Sequence, residues 1–333
     1  MCNQEQSELR GQCVSGLIST IIPVHNRARL LREAVASVLA QTYRPIEIII
    51  VDDGSTDDTP GVVDGLAGAS DEMQVVHQRN TGPGLAREAG RRLARGEFIQ
   101  YLDSDDLLLP DKFNLQVAGL RAEPRCDVAY GYTRYRHADG RVEPGPWKGS
   151  GIRVETMFPS FLKSRWWDTP TPLYRANLCE AAGPWSDLRL EEDWEYDCRV
   201  AALGVHLFYC EAYVAEVRDH GQGRLCYGEA LDPVRLSQRA RAHKLIFEHA
   251  ARAGIDPTVP EMQHFARELF LLARQCGAVG LGCESRDLFF LAKAASGADR
   301  ATGLDFKVYA IAAGVLGWPL VGRIACATDR LRK

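Results

Sequence analysis

Between residues 18 and 102, short apolar runs alternate with stretches of helical period, and this alternation constrains the fold more than any other feature of the chain. Residues 18–24 form a β-branched run. Asn26 follows as a candidate N-cap for a helix carrying Leu31, Ala34, Val35 and Val38 at i, i+3, i+4 and i+7. Residues 46–51 are apolar apart from Glu47, as expected of a strand buried on both faces of a parallel sheet, and the run stops at Asp52. Thr59 then caps a helix with Pro60 in its first position and Val62, Val63 and Leu66 as its apolar stripe. A third strand is expected over 75–77. A helix over 85–95 would carry Leu85, Ala89 and Leu93 inward and end at Gly96, and another strand follows over 98–102. The pattern predicts a right-handed, doubly wound, mostly parallel α/β sheet flanked by helices. Ligands on such sheets sit beyond the carboxyl ends of the strands, where Asp52, Asp53 and Asp103 lie.

The order changes after Asp127. An aromatic strand over 128–135, a turn at Asp139 and Gly140 and a loop with Pro144, Pro146 and Trp147 suggest an irregular second half. Amphipathic stretches over 236–250, 261–276 and 287–295 predict a C-terminal helical region. The expected organisation is a flexible leader over 1–16, two halves of one α/β domain over 17–125 and 126–228, and helices over 229–333. The ten cysteines show no C-x-x-C pair and read as free thiols in a reducing cytoplasm. A net charge of -4 argues against nucleic acid as a partner. The uncharged stretch 308–322 is shorter than the about 20 residues of a bilayer span and is interrupted by Gly314, Gly317 and Pro319. Trp318 with Arg330, Arg332 and Lys333 would suit a helix lying at a membrane surface; the alternative is a C-terminal helix docked on the core.

Several segments can carry chemistry. YLDSDDLLLP places Asp103, Asp105 and Asp106 directly after a strand. Three like charges so close raise one another's pKa unless a cation neutralises them, so the segment is either a site for Mn²⁺ or Mg²⁺ with a diphosphate, or a solvated acidic turn before a helix at Asp111. In IIIVDDGSTDDT, Asp52 or Asp53 can accept hydrogen bonds from a base or ribose, or can close an Asx turn on its own backbone, and Gly54 allows a sharp bend. In EEDWEYD, Glu191, Glu192 and Asp193 offer carboxylates for proton transfer, unless Trp194, Cys198, Val200 and Ala201 are the inner face of a helix whose acids lie on a solvated first turn. In WWDTP, Trp166 and Trp167 could stack on a sugar or anchor a loop.

These segments together resemble the family-2 glycosyltransferases, inverting nucleotide-sugar enzymes of GT-A fold. The resemblance rests on STIIPVHNRARLLREAVASVLAQTY, IEIIIVDDGSTDDT, RNTGPGLAREAG, GEFIQYLDSDDLLLPDKF and EEDWEYDCRVAALG, in that order. It implies a nucleotide-sugar-binding half over 17–125 and an acceptor-binding, catalytic half over 126–228. It makes Asp53 the base-recognition carboxylate, puts Pro23, Val24, His25 and Asn26 in the nucleoside pocket, and places Arg87 near the donor. Asp105 becomes the metal ligand of a D-x-D element, Asp103 a holder of ribose or metal, and His220 a further metal or phosphate contact. Asp193 becomes the catalytic base with Glu192 as its neighbour. Glu88 departs from the pattern, which often has asparagine there. The implied partners are a UDP-sugar donor and a saccharide or lipid-linked saccharide acceptor, in cell-surface polysaccharide or glycolipid synthesis, in the cytoplasm or peripherally at the inner face of the membrane.

Two rivals remain. A sugar nucleotidyltransferase would need a loop rich in glycine and in lysine or arginine after the first strand, where this chain has PVHNRAR, without the glycines. A non-catalytic nucleotide-sugar-binding protein would not need the acidic EED triplet.

Overall fold

The computed structural model describes residues 13–221 and 229–331. Residues 1–12 of the expected leader, Cys2, Cys226, Arg332, Lys333 and the Arg330 side chain lie outside the described residues. The chain divides into two compact units, the first built from residues up to 155, 166–187 and 205–221, the second from 156–165, 188–204 and 222 onward.

The first unit holds an eight-stranded mixed sheet, with β1 (Val14–Val24), β2 (Ile46–Asp53), β3 (Met73–Gln78), β4 (Gly96–Tyr101), β5 (Leu107–Leu108), β6 (Cys126–Arg136), β7 (Leu173–Arg175) and β8 (His206–Arg218) in the order 3-2-1-4-7-6-8-5. The β3-β2-β1-β4 block is parallel, as its sequence pattern predicts. The short β7 then runs antiparallel to both β4 and β6, while β8 is parallel to β6 and β5 antiparallel to β8.

Helices α1 (Ala28–Leu39), α2 (Thr59–Ala67), α3 (Pro83–Leu93), α4 (Lys112–Ala122) and α5 (Ala176–Ala182) belong to this unit. Successive strand residues point to opposite faces, so Ile18, Ile22, Ile48, Ile50 and Phe98 share one face with the apolar stripes of α1, α2 and α4. The predicted Leu31, Ala34, Val35 and Val38 are all buried there. Ile21 and Val51 face the other way, against α3. A Cβ at Gly90 of that helix would stand 2.5 Å from Ile21 and 3.2 Å from Val51, which is why helix and strands can approach so closely.

Four local expectations need correction. Thr59 does not cap α2; it is the first residue of that helix, and Asp58 holds the N-cap position. Asn26 is not the N-cap of α1: Arg27 holds that position, and Asn26 has φ of 53° with its Oδ1 accepting the Thr56 N–H at 2.7 Å. Helix α3 does not turn Leu85, Ala89 and Leu93 inward. Its buried residues are Gly84, Ala86, Arg87, Glu88 and Gly90, while Leu93 is exposed, because small residues set the approach and the two charges find partners inside. Gly96 does not cap this helix either; it begins β4, where a Cβ would lie 2.6 Å from the Leu17 carbonyl and 2.8 Å from the Ser19 nitrogen.

The second unit is helical, with α6 (Glu192–Ala201), α7 (Pro233–Arg252), α8 (Pro260–Ala278), α9 (Gly282–Ala295), α10 (Gly297–Ala301), α11 (Leu304–Leu316) and α12 (Trp318–Leu331). Asp232 caps α7 by accepting the Arg235 N–H at 2.8 Å. Phe270 of α8 and Phe289 of α9 build an aromatic core with Phe306, Tyr309 and Trp318, with ring centroids 5.1–5.6 Å apart in the Phe270–Phe306, Phe289–Tyr309 and Phe289–Trp318 pairs. Among the described residues no helix is long and apolar enough to cross a membrane, and the cysteines are free thiols.

Candidate functional site

The carboxyl ends of β1 and β2 are stitched together by short polar bonds. His25 Nδ1 lies 3.0 Å from the Asp53 carbonyl oxygen, the Asn26 N–H donates to Ser55 Oγ at 2.9 Å, and the Arg27 N–H donates to Thr59 Oγ1 at 3.0 Å. Pro23 and Val24 complete β1, in register with Val51 and Asp52. Gly54 bends the chain at φ of 72°, and a Cβ there would come within 2.7 Å of the Asn80 nitrogen.

The two carboxylates ending β2 take different roles. Asp52 closes an Asx turn, accepting the Ser55 N–H at 3.0 Å, and its other oxygen meets His77 Nδ1 at 2.9 Å. Burial opposes its charge, but the Ser55 and His77 bonds outweigh burial and hold its pKa below the usual value. Asp53 instead fixes the loop before α3: Oδ1 accepts from Gln78 Nε2 and the Thr81 N–H, both at 2.8 Å, and Oδ2 accepts the Gly82 N–H at 2.8 Å. A carboxylate has about four lone-pair sites, so Oδ2 keeps capacity for a further donor.

Arg87 and Glu88, adjacent on the inner side of α3, diverge. The Arg87 guanidinium lies 4.8 Å from the Trp185 ring centroid and donates to Asp103 at 2.6 Å. Buried Glu88 is engaged by Arg91 at 2.8 Å and Arg92 at 2.9 Å, and accepts the Trp185 N–H at 3.4 Å. Position 88 is thus tied to its own helix and to Trp185.

The Asp103–Asp106 segment is not a solvated turn, because Asp105 and Asp106 are buried. Asp105 forms an ion pair with Arg27, and its Oδ2 lies 2.8 Å from His220 Nε2, beyond the end of β8. Burial disfavours its charge, but the His220 bond and the Arg27 and His220 charges prevail and lower its pKa. Asp106 goes the other way: burial first, then the charges of Asp105, Asp103 and Asp168, push its pKa well above the ordinary carboxylate value, against the Arg218 N–H that it accepts at 3.2 Å. Arg218 also donates to the Asp105 carbonyl at 2.7 Å and pairs with Glu33.

Among the described residues no three His, Cys, Asp or Glu side chains are gathered as a metal cage; Asp103 is turned to Arg87, and Asp105 to Arg27 and His220. The donor set still fits a hard divalent cation. It offers carboxylate oxygens and an imidazole, leaves Asp106 crowded by like charges, and includes a buried Asp168 Oδ2 with no hydrogen-bond partner while its Oδ1 holds Lys148. Asp168 escaped the reading of WWDTP, which attended to the rings. Trp167 is wholly buried, 5.1 Å from the Tyr130 ring, so it anchors the loop and offers no face for stacking. Trp166 is half-buried and packs over Gly149.

The acidic segment opens α6 in the second unit. Glu191 adopts φ of 59° and is held by Arg239 at 2.8 Å and His243 at 3.0 Å. Glu192, Glu195 and Asp197 are buried, so the helix carries acids on its inner face and the solvated-first-turn reading fails. Arg165 bridges Asp193 and Asp197, both at 2.6 Å, and Glu195 meets His249 at 2.9 Å. Asp193 keeps 30% of its side chain exposed; Oδ2 takes Arg165 and Oδ1 accepts the Trp194 N–H at 2.8 Å.

Residues 19–176 match the family model described as Glycosyl transferase family 2. This part of the chain belongs to that family. An uncharacterised glycosyltransferase of Rickettsia conorii is 35% identical over 147 residues, covering 44% of this chain and 24% of that protein. The chain thus spans about a quarter of the length of that relative. Among solved structures, S. aureus TarS superposes with a TM-score of 0.65 at 19% identity, over 92% of this chain and 54% of TarS. A shorter TarS chain in complex with UDP-GlcNAc gives 0.57 at 18% identity, over 90% of this chain and 92% of that one. A mannosyltransferase, PcManGT from Pyrobaculum calidifontis, in complex with GDP-Man and Mn²⁺, gives 0.51 at 18% identity, over 94% and 86% of the two chains. At these identities the likeness carries the fold, which is of GT-A type.

Proposed function

We propose that the protein is an inverting glycosyltransferase that moves a sugar from a nucleotide-diphosphate donor, a UDP-sugar, onto an acceptor hydroxyl with the help of Mn²⁺ or Mg²⁺. The observation that carries the reading is the crowding of Asp103, Asp105, Asp106 and Asp168 at the end of a family-2 sheet, where Asp106 is driven toward its neutral form and a cation would relieve the charge. The relatives bound to UDP-GlcNAc, and to GDP-Man with Mn²⁺, support the donor class and the metal.

In this reading Pro23, Val24, His25 and Asn26 line the nucleoside pocket. Asp53 orders the 78–82 loop beside it and offers its spare lone pair to the base. Asp105, with Asp103 and His220, would hold the divalent ion, which supplies Lewis-acid stabilisation of charge developing on the departing diphosphate. Arg87 sets the direction of Asp103 and adds positive charge near the donor. Asp193 takes the acceptor's proton on Oδ1, the oxygen that Arg165 leaves to other partners. The acceptor oxygen then bonds to the anomeric carbon from the far face as the bond from that carbon to the diphosphate oxygen breaks. Glu192 supports the same helix turn, and Trp166 offers the remaining ring to a sugar. The acceptor is a saccharide or lipid-linked saccharide, and the product belongs to cell-surface polysaccharide or glycolipid synthesis on the cytoplasmic side.

The test incubates the full chain with a panel of nucleotide sugars and Mn²⁺, follows release of nucleotide diphosphate, and reads the anomeric configuration of the product by NMR. Chelation should abolish turnover. Undiminished turnover in Asp105→Ala or Asp193→Asn removes the role assigned to that residue, and a product that retains the donor's configuration removes inversion.

A further inference from the structure

Helix α11 is apolar on both sides. Phe306, Tyr309 and Ala313 enter the aromatic core of the second unit. On the opposite side, Leu304, Val308, Ile311 and Val315, spaced four, three and four residues apart, line up in one stripe and are 78%, 63%, 68% and 79% exposed. Single exposed leucines need no explanation, but four aliphatic side chains in a row along a well-formed helix do. Among the described residues nothing packs over them. The neighbouring α12 adds exposed Leu320 and Ile324.

We infer that this stripe rests on an anionic lipid surface, with α11 lying in the interface and not crossing it. At about 1.5 Å per residue, thirteen residues reach only about 20 Å, too short for a span but suited to lying flat. Charge selects the occupant. Lys307 and Arg323 are exposed beside the apolar side chains, whereas Asp305 is neutralised by Arg300. Asp329 is held by Arg274. An apolar stripe flanked by exposed cations whose acidic neighbours are already paired is drawn to anionic headgroups. A second copy meeting the first through this stripe would bring like charges together, and four aliphatic side chains fall short of the about 800 Å² per partner of a standard interface.

The experiment sediments the full chain with vesicles of phosphatidylcholine alone and of phosphatidylcholine with one-third phosphatidylglycerol, and reads donor turnover on the same samples. Expected is association with the anionic vesicles, weakened by about 0.5 M salt. Ile311→Asp with Val315→Asp should cut the partition by more than about tenfold, while thermal unfolding and turnover of the soluble donor stay at the wild-type level. The inference is overturned if the wild-type chain stays in the supernatant, if the double variant binds vesicles equally, or if light scattering finds a wild-type dimer that the double variant dissociates. None of these results touches the sugar-transfer reading, which the turnover assay judges separately.

Discussion

Replacing Arg165 by alanine should destabilise the protein by about 4 kcal/mol, and most of that loss should return when Asp197 is also made asparagine. Arg165 is nearly buried and holds two carboxylates of α6, Asp197 through Nε and Asp193 through Nη1, each at 2.6 Å. The two arms are not equal. Asp197 is fully buried, and taking the cation from a buried pair costs about 3–5 kcal/mol because a charge stays behind in a poorly solvated place. Asp193 is 30% exposed, so its arm contributes at most about 1 kcal/mol after solvent screening. Asp197→Asn removes that buried charge and keeps the shape, so Arg165→Ala with Asp197→Asn should lie within about 1–2 kcal/mol of the wild type. The assay is urea denaturation of the full chain at neutral pH for the wild type, both single variants and the double variant. A loss below about 1 kcal/mol in Arg165→Ala, or a double variant no better than the worse single one, would refute the reasoning.

The site and the scaffold give further expectations. Asp193→Asn should lower kcat by about 10²–10⁴ with the donor KM little changed, since a general base acts on the acceptor's proton; a KM effect alone would argue for donor binding instead. Gly96→Ala should cost about 1–3 kcal/mol, because its Cβ would meet the Leu17 and Ser19 backbone, and a variant with the wild-type melting curve would show that β1 and β4 can part at no cost. Glu195→Gln should destabilise at neutral pH. Burial opposes the Glu195 charge, but His249 and Arg199 overcome it and lower its pKa, so its contribution is present above the unfolded value of about 4.3 and lost as pH falls through the lower folded value. The stability gap between wild type and variant should therefore close in acid, and a gap constant from pH 7 to 3 would contradict this. Calorimetry should find Mn²⁺ binding tighter with UDP present than without it, and UDP tighter with Mn²⁺ by the same factor; independent binding would speak against a shared diphosphate–metal site.

How much of this was legible in the sequence depended on what each residue packs against. The apolar run 48–51 of β2 announced a strand covered on both faces, and the i, i+3, i+4, i+7 stripe of α1 identified its buried residues, because those residues are buried by hydrophobic contact; Glu47 in the same strand is buried instead against Ser19 and Arg95. The same periodicity misread α3. Its close approach runs through Gly90, and its inner face carries Arg87 and Glu88; Arg91 one turn on is a local partner of Glu88, but Asp103 and Trp185 come from distant positions that no local pattern announces. Helix α6 repeats the lesson: buried Glu195 has Arg199 one turn on, but also needs His249, and buried Asp197 is held by Arg165, both from outside the helix. Local sequence shows which side chains are apolar; it does not show which charges have found a partner.

The candidate site divides along the same line. Asp52, Asp53, Asp103 and Asp105 were visible because they follow apolar strands directly, and chain direction alone puts the carboxyl ends of β1, β2 and β4 at one rim. What sets their behaviour was not visible. Arg27 comes from the loop after β1, Arg87 from α3, and Arg218 and His220 from the end of β8, more than a hundred residues after Asp105. These cations already balance much of the acidic turn, yet Asp106 and the buried Asp168 oxygen stay under-compensated. A diphosphate alone would add negative charge to that crowd, and a divalent cation alone would have to compete with guanidinium groups for the same oxygens. Brought together they are close to neutral as a pair, so each removes the main electrostatic obstacle to the other, which is what the proposed transfer asks of this turn.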